Sequence, residues 1–153
     1  MDVKGGERGT DRGLVSLVTQ LSKALHRLSS EELLGMRLKA YMALGYIRDH
    51  PGATQQELEN ALLMDANSVV IILNELEAAR FSLRRRDPQD RRRHIVELTE
   101  SGRRALERAD KARETLEDQI LADLSPEERA TLKALLGRVL ATMLNAVQEP
   151  VKA

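Results

Sequence analysis

A chain of 153 residues with 24 basic and 24 acidic side chains, no cysteine and 2% aromatic residues has room for one domain, or one domain with a helical extension. Its core must be built from Leu, Val, Ile, Ala and Met, and the missing cysteines exclude disulfides, thiol redox sensing, zinc–thiolate sites and cysteine nucleophiles together. The net charge of zero leaves nucleic acid open as a partner, because local clustering of charge sets the field at a binding face. No apolar run is expected to reach the length of a membrane span, and the N-terminus lacks a signal-peptide core. A cytoplasmic protein without membrane contact is the expectation.

Residues 1–12 are polar and glycine-rich and are expected to form a flexible arm. From Gly13 the pattern turns helical, with Leu14, Leu17, Val18, Leu21, Leu25 and Leu28 on one face. Ser29 with Glu32 reads as a capping box that ends this helix and opens a second, continuous to about His50 before Pro51-Gly52. Thr54 with Glu57 is another box, opening a short helix to about Leu62. After a break at Leu63-Met64-Asp65, a helix runs from Ala66 to about Ala79. Two short helices joined so tightly fit a helix-turn-helix. Val69, Ile72, Leu73 and Leu76 are placed inward, leaving Ala66, Asn67, Val70, Ile71 and Asn74 outward.

Leu83–Arg86 and His94–Leu98 read as two strands joined by Asp87-Pro88-Gln89-Asp90, which carries turn chemistry. Alternation puts Val96 and Leu98 toward a core and His94 and Glu97 outward. Six arginines (Arg84, Arg85, Arg86, Arg91, Arg92, Arg93) flank that turn, opposed in the hairpin tip by Asp87 and Asp90. Such density points to a surface that faces a polyanion. Thr99 caps the next helix, which carries Leu106, Ala109, Leu116, Ile120 and Leu124. Ser125-Pro126-Glu127-Glu128 restarts a last helix with Leu132, Leu135, Leu136, Val139, Leu140, Met143, Leu144 and Val147. The first helix and the last two carry more apolar surface than one small winged domain buries, and a second copy of the chain is the economical partner, with a monomeric helical bundle as the alternative.

Helix-turn-helix, strand, arginine-rich turn and strand, in that order, make a winged helix. The fold expected is mainly α with a small β-hairpin wing. Residues 33–99 form the winged helix-turn-helix, and residues 13–32 and 100–148 supply dimerisation helices. A helix fits the major groove, and an arginine wing reaches the backbone or a narrow minor groove. Enzyme readings lack parts: His26, His50 and His94 have no metal-ligand spacing, and there is no phosphate loop or nucleophile elbow. No cofactor is expected. A helical interaction module that binds no DNA is the alternative, and it leaves the arginine wing without a purpose.

The run Asp87-Pro88-Gln89-Asp90-Arg91-Arg92-Arg93, followed by Leu98-Thr99-Glu100-Ser101-Gly102, resembles the wing signature D-P-x-D-x-R … L-T-x-x-G of the MarR family of bacterial transcription regulators. Glu57-Leu58 and Leu76-Glu77 also stand where that family has E-L and L-E. The resemblance implies a homodimer held by its N- and C-terminal helices, binding double-stranded DNA at a pseudo-palindromic operator, most often as a repressor. It implies that Arg92 enters the minor groove with Asp90 orienting it, while the same pair also closes the turn. Arg91 and Arg93 would meet phosphates, and Arg84 and Arg86 would do the same or lie along the strand. Thr54, Gln55, Ala66, Asn67, Ser68, Val70, Ile71 and Asn74 complete the expected DNA-facing set. Members usually carry polar or basic residues on the recognition helix. Here Val70 and Ile71 fit either thymine methyls or a neighbouring protein element. Arg80 stands where glycine is common, which implies an irregular helix end. The resemblance also implies a small aromatic or phenolic effector, with His26, Met36, Arg37, Tyr41 and Met42 as candidate wall residues. Each of these also has an ordinary reading as core or surface.

Overall fold

Side-chain caps open most of the helices of this protein, α1 and α3 excepted. The computed structural model describes residues 13–148, so the arm expected over residues 1–12 lies outside them. Helix α1 spans Leu14–Leu28 and ends at Ser29, whose N–H donates to the Leu25 carbonyl. Ser30, rather than Ser29, caps the short α2 (Glu31–Leu34), accepting from the Leu33 N–H at 3.1 Å. The continuous helix expected from there to His50 is two helices. Gly35 turns left-handed at φ 76° and stops α2, and α3 starts afresh at Leu38–Asp49. Thr54 accepts from Glu57 N–H to open α4 (Gln55–Leu62), and Asp65 accepts from Ser68 N–H to open α5 (Ala66–Ala78). Strands β1 (Ser82–Arg86) and β2 (His94–Leu98) pair antiparallel, with Arg86 opposite His94 and Ser82 opposite Leu98. Helix α6 covers Glu100–Ile120 and α7 covers Pro126–Gln148. Ser125 and Glu128 cap α7 reciprocally, each side chain bonding the other's N–H.

Leu44, Leu58, Leu73 and Leu106 are fully enclosed, and Val69, Ile72 and Leu76 join them, so α3, α4, α5 and the start of α6 share one core. Strict alternation fails in β2. Ile95 is buried beside Val96 because the segment at Ala53-Thr54 lies along the hairpin, with Val96 N–H donating to the Ala53 carbonyl and a bridge from Thr54 to Ile95. Leu98 is half-buried against the core.

The base of the wing is stitched by five hydrogen bonds. Phe81 N–H donates to the Leu76 carbonyl at 2.8 Å and Arg80 N–H to that of Glu77 at 2.9 Å, the regular Schellman pattern of a helix end. The irregular end expected at Arg80 is therefore not found: arginine takes the left-handed conformation itself, at φ 63°. Thr99 then reaches back, its hydroxyl donating to the Arg80 carbonyl at 2.6 Å and its N–H to that of Phe81 at 3.0 Å. The same hydroxyl accepts from Gly102 N–H at 2.9 Å. A Cβ on Gly102 would lie 2.0 Å from the Phe81 carbonyl oxygen, so only glycine lets α6 start this close to the end of α5. Beyond this seam, Arg84 forks onto both oxygens of Glu77 at 2.7 and 3.0 Å and also reaches Asn74. That hydrogen bond, working against partial burial, holds the Glu77 carboxyl below its ordinary range and the Arg84 guanidinium above its own.

The chain divides into two compact units at Glu114/Thr115, with α6 running from one into the other. Neither α1 nor α7 buries a residue within the single chain; Leu14, Val15, Leu21, Leu135, Leu140, Met143 and Val147 are among their exposed apolar side chains. Helix α7, at 23 residues with a stretch of mean hydropathy 1.3, is long and apolar enough by length and composition to cross a bilayer. This corrects the expectation that no such run exists. Lys133 and Arg138 interrupt the run as read residue by residue, and a long window tolerates two such cations.

Two measurements check this account. Gly102→Ala should destabilise the protein by about 1–3 kcal/mol in urea unfolding, because backbone has to move; an unchanged midpoint would contradict the seam. A carboxyl whose folded pKa is depressed contributes stability above its unfolded pKa, near 4.3, and loses it as pH falls through the folded value. Wild type should therefore lose more stability than Glu77→Gln between about pH 5 and pH 3. Parallel pH profiles would count against the Arg84–Glu77 pair.

Candidate nucleic-acid interface

The wing tip is built by its two aspartates. Asp87 accepts from Gln89 N–H at 2.9 Å, and Asp90 accepts from Arg92 N–H at 3.1 Å, closing successive turns while Asp87 N–H donates to the Arg93 carbonyl at 2.9 Å. The Asp90 oxygen that binds Arg92 N–H also accepts from Arg92 Nε at 3.2 Å. Its second oxygen lies 3.6 Å from Arg93 Nε. One carboxylate thus aims two guanidinium groups, yet the Arg92 side chain remains 92% exposed. Arg91 is exposed as well.

The other three arginines are engaged within the protein. Arg84 is held by Glu77 and Asn74, Arg85 pairs with Glu97 across the hairpin, and Arg86 donates to the Arg91 carbonyl at 2.9 Å. Weighing the arginines against Asp87 and Asp90 alone missed these counter-charges. The strand register carried a signal for one of them: Arg85 faces Ile95, so Glu97 is its diagonal neighbour. Arg86 meets a neutral carbonyl and Arg92 and Arg93 share one carboxylate, so together with Arg91 the hairpin tip keeps an excess of positive charge.

Thr54 spends its hydroxyl on capping α4. It nevertheless lines, with Gln55, Gln56 and Glu59, a groove of about 230 Å³ whose other wall is Arg92, Arg93 and His94. On α5, Ala66, Asn67, Ile71 and Asn74 are exposed, whereas Ser68 and Val70 are half-buried. The Asp65 carboxyl at the helix start is held below its ordinary range by the Ser68 N–H it accepts. Glu75, also on α5, receives a two-pronged bond from Arg37 at 2.6 and 3.0 Å.

The five candidate effector residues do not share one cavity. His26 and Arg37 line a groove of about 350 Å³ with Ser29, Ser30, Glu31, Leu38 and Lys39. Met36 belongs to the core and, with Arg37 and Glu75, borders a second groove of about 260 Å³. Met42 is exposed and lines neither. Tyr41 ties α3 to α6, its hydroxyl donating to Asp110 at 2.5 Å and accepting from Arg113 Nε at 2.9 Å, while Arg48 grips the other Asp110 oxygen at 2.6 Å. Burial and the Asp110 bond push the Tyr41 hydroxyl pKa up against Arg113. Burial alone would raise Asp110, but the bonds from Tyr41 and Arg48 prevail and hold it low. Among the described residues no cluster of His, Asp or Glu is arranged to hold a metal ion.

The comparisons agree with this geometry. A family model described as the MarR family matches residues 34–93, from α2 through the wing tip. The chain is 36% identical over 99 residues to a transcriptional regulatory protein for the hcr operon of Thauera aromatica, covering 65% of this chain and 60% of that protein. It thus spans less than two thirds of that relative. With the HTH-type transcriptional regulator PecS of Dickeya dadantii it shares 31% identity over 135 residues, covering 87% of this chain and 81% of the relative. A crystal structure of MarR superposes with a TM-score of 0.83 at 26% identity, over 92% of this chain and 97% of the other. A mutant MarR from Escherichia coli complexed with operator DNA gives 0.73 at 28% identity, over 83% and 93%. The winged helix, its wing signature and these relatives together show that the chain belongs to the MarR family of transcription regulators.

Proposed function

We propose that two copies of this chain bind a pseudo-palindromic duplex, α5 entering the major groove and the wing flanking it, to repress transcription. The observation that carries this reading is the exposed Arg92 guanidinium aimed by Asp90 at the end of a rigid hairpin. A preoriented guanidinium loses little freedom when it enters a narrow, negatively charged groove. Arg91 and Arg93 flank it as phosphate contacts. The DNA-bound family neighbour supports the partner class. The bare apolar faces of α1 and α7 support the dimer: such surface is best covered by a second copy, and a two-fold protein matches two half-sites about one helical turn apart. Regulation by release is supported by the groove of His26, Arg37 and Lys39. An aromatic carboxylate there would compete with Glu75 for Arg37 and disturb α5 directly.

The test is Arg92→Ala. It should sediment as a dimer like the parent and bind the selected duplex at least about a hundredfold more weakly, the loss expected for one charge-assisted contact in each half-site. Equal affinity would remove the wing from the mechanism, and a monomeric parent would remove the paired half-sites.

A further inference from the structure

Helix α5 is an unusual DNA reader because it has no cation of its own. Its sequence from Ala66 to Ala78 contains no Lys, Arg or His, and its two acids are Glu75 and Glu77. Both are matched by arginines from other elements, Glu75 by Arg37 and Glu77 by Arg84. Asn74 is drawn into the second of these pairs through its side-chain oxygen. What remains toward solvent is a neutral strip of Ala66, Asn67, Val70 and Ile71. Within it Ile71 is 48% exposed and Val70 is half-buried, on a helix whose remaining large apolar residues, Val69, Ile72, Leu73 and Leu76, are 3% exposed or less. Burial in the core explains those four and does not explain Ile71. Positive charge flanks the strip at the wing tip, so a polyanion would be drawn over an apolar surface.

We propose that Ile71, with Val70 beside it, is the specificity-determining contact of this protein, and that it reads the C5-methyl groups of thymines in the major groove. The inference rests on the duplex-binding function above and names what that site selects. In the major groove thymine offers one apolar feature, its methyl group, whereas guanine is read best by a cationic fork that α5 lacks. Ala66, without a long side chain, lets the helix start lie close to the bases. Asn67 can pair with an adjacent adenine through its two-pronged amide. Specificity then comes from shape and desolvation on the helix, while attraction comes from Arg91, Arg92 and Arg93 on the wing.

The experiment begins with selection from a random-sequence duplex pool by the full chain. The enriched duplex is then synthesised with deoxyuridine for thymidine in the positions under α5, which removes the methyl and leaves the hydrogen-bonding edge intact. Wild type should bind the uracil duplex about fourfold more weakly per methyl, about fifteenfold for one methyl in each half-site. Ile71→Ala, a change at an exposed position, should bind thymine and uracil duplexes alike. Three results overturn the proposal. One is enrichment of G·C pairs under the helix. The second is equal binding of both duplexes by wild type. The third is an equal loss in wild type and variant, which would assign the effect to duplex deformability. Enrichment of no duplex at all would overturn the DNA-binding reading together with this one.

Discussion

The interface depends on one short seam, where the end of the recognition helix meets the start of α6. Arg80 and Phe81 close α5 in a Schellman turn, and Thr99 returns from the hairpin to bind both of their carbonyls. Gly102 then brings α6 against the Phe81 backbone without a side chain between them. A two-stranded hairpin alone is marginal in water. Here both of its ends are pinned to the core, so it leaves the domain at an angle fixed relative to α5. Arg84 extends the same join outward by tying β1 to Glu77 and Asn74. An arginine at the tip can act as a reader only if its base is this firmly set.

The charges divide into two groups with different work. Arg37, Arg48, Arg84 and Arg85 bind carboxylates of their own chain and hold elements together. Arg91, Arg92 and Arg93 project from the tip, where Arg92 and Arg93 share one carboxylate, Asp90. A chain of zero net charge thus keeps a local excess of positive charge where the hairpin turns. Helix α5 has both of its acids matched by arginines from other elements. On the proposed reading, long-range attraction and short-range selection would be carried by separate elements.

Much of this was legible in residues that cap and punctuate. Thr54, Thr99 and Ser125 begin helices through the short-range bonds that their side chains favour, and Asp65, read as part of a break, proves to cap α5 in the same way. Local chemistry of that kind survives without knowledge of the fold. The winged-helix order and the inward face of α5 followed from spacing, and β2 was bounded at both ends. Three features escaped a reading by periodicity. Gly35, turning left-handed at φ 76°, splits what periodicity joins into one helix, a local stop that the apolar spacing passes over. Ile95 is buried by the Ala53-Thr54 segment, which no alternation within β2 encodes. Arg84 looks like its neighbours in sequence, and only the turn at Arg80 brings Glu77 to it. The candidate effector wall fared similarly: Met36 went to the core and Tyr41 to Asp110, leaving His26 and Arg37 at one groove.

The central claim, that an aimed arginine wing holds this protein on DNA, is tested most directly by the salt dependence of duplex binding. Two copies placing Arg91 and Arg93 on phosphates would neutralise about four charges, so log affinity should fall against log salt with a slope of about −4. A flat dependence, or a folded dimer that binds no duplex at low salt, would contradict the account.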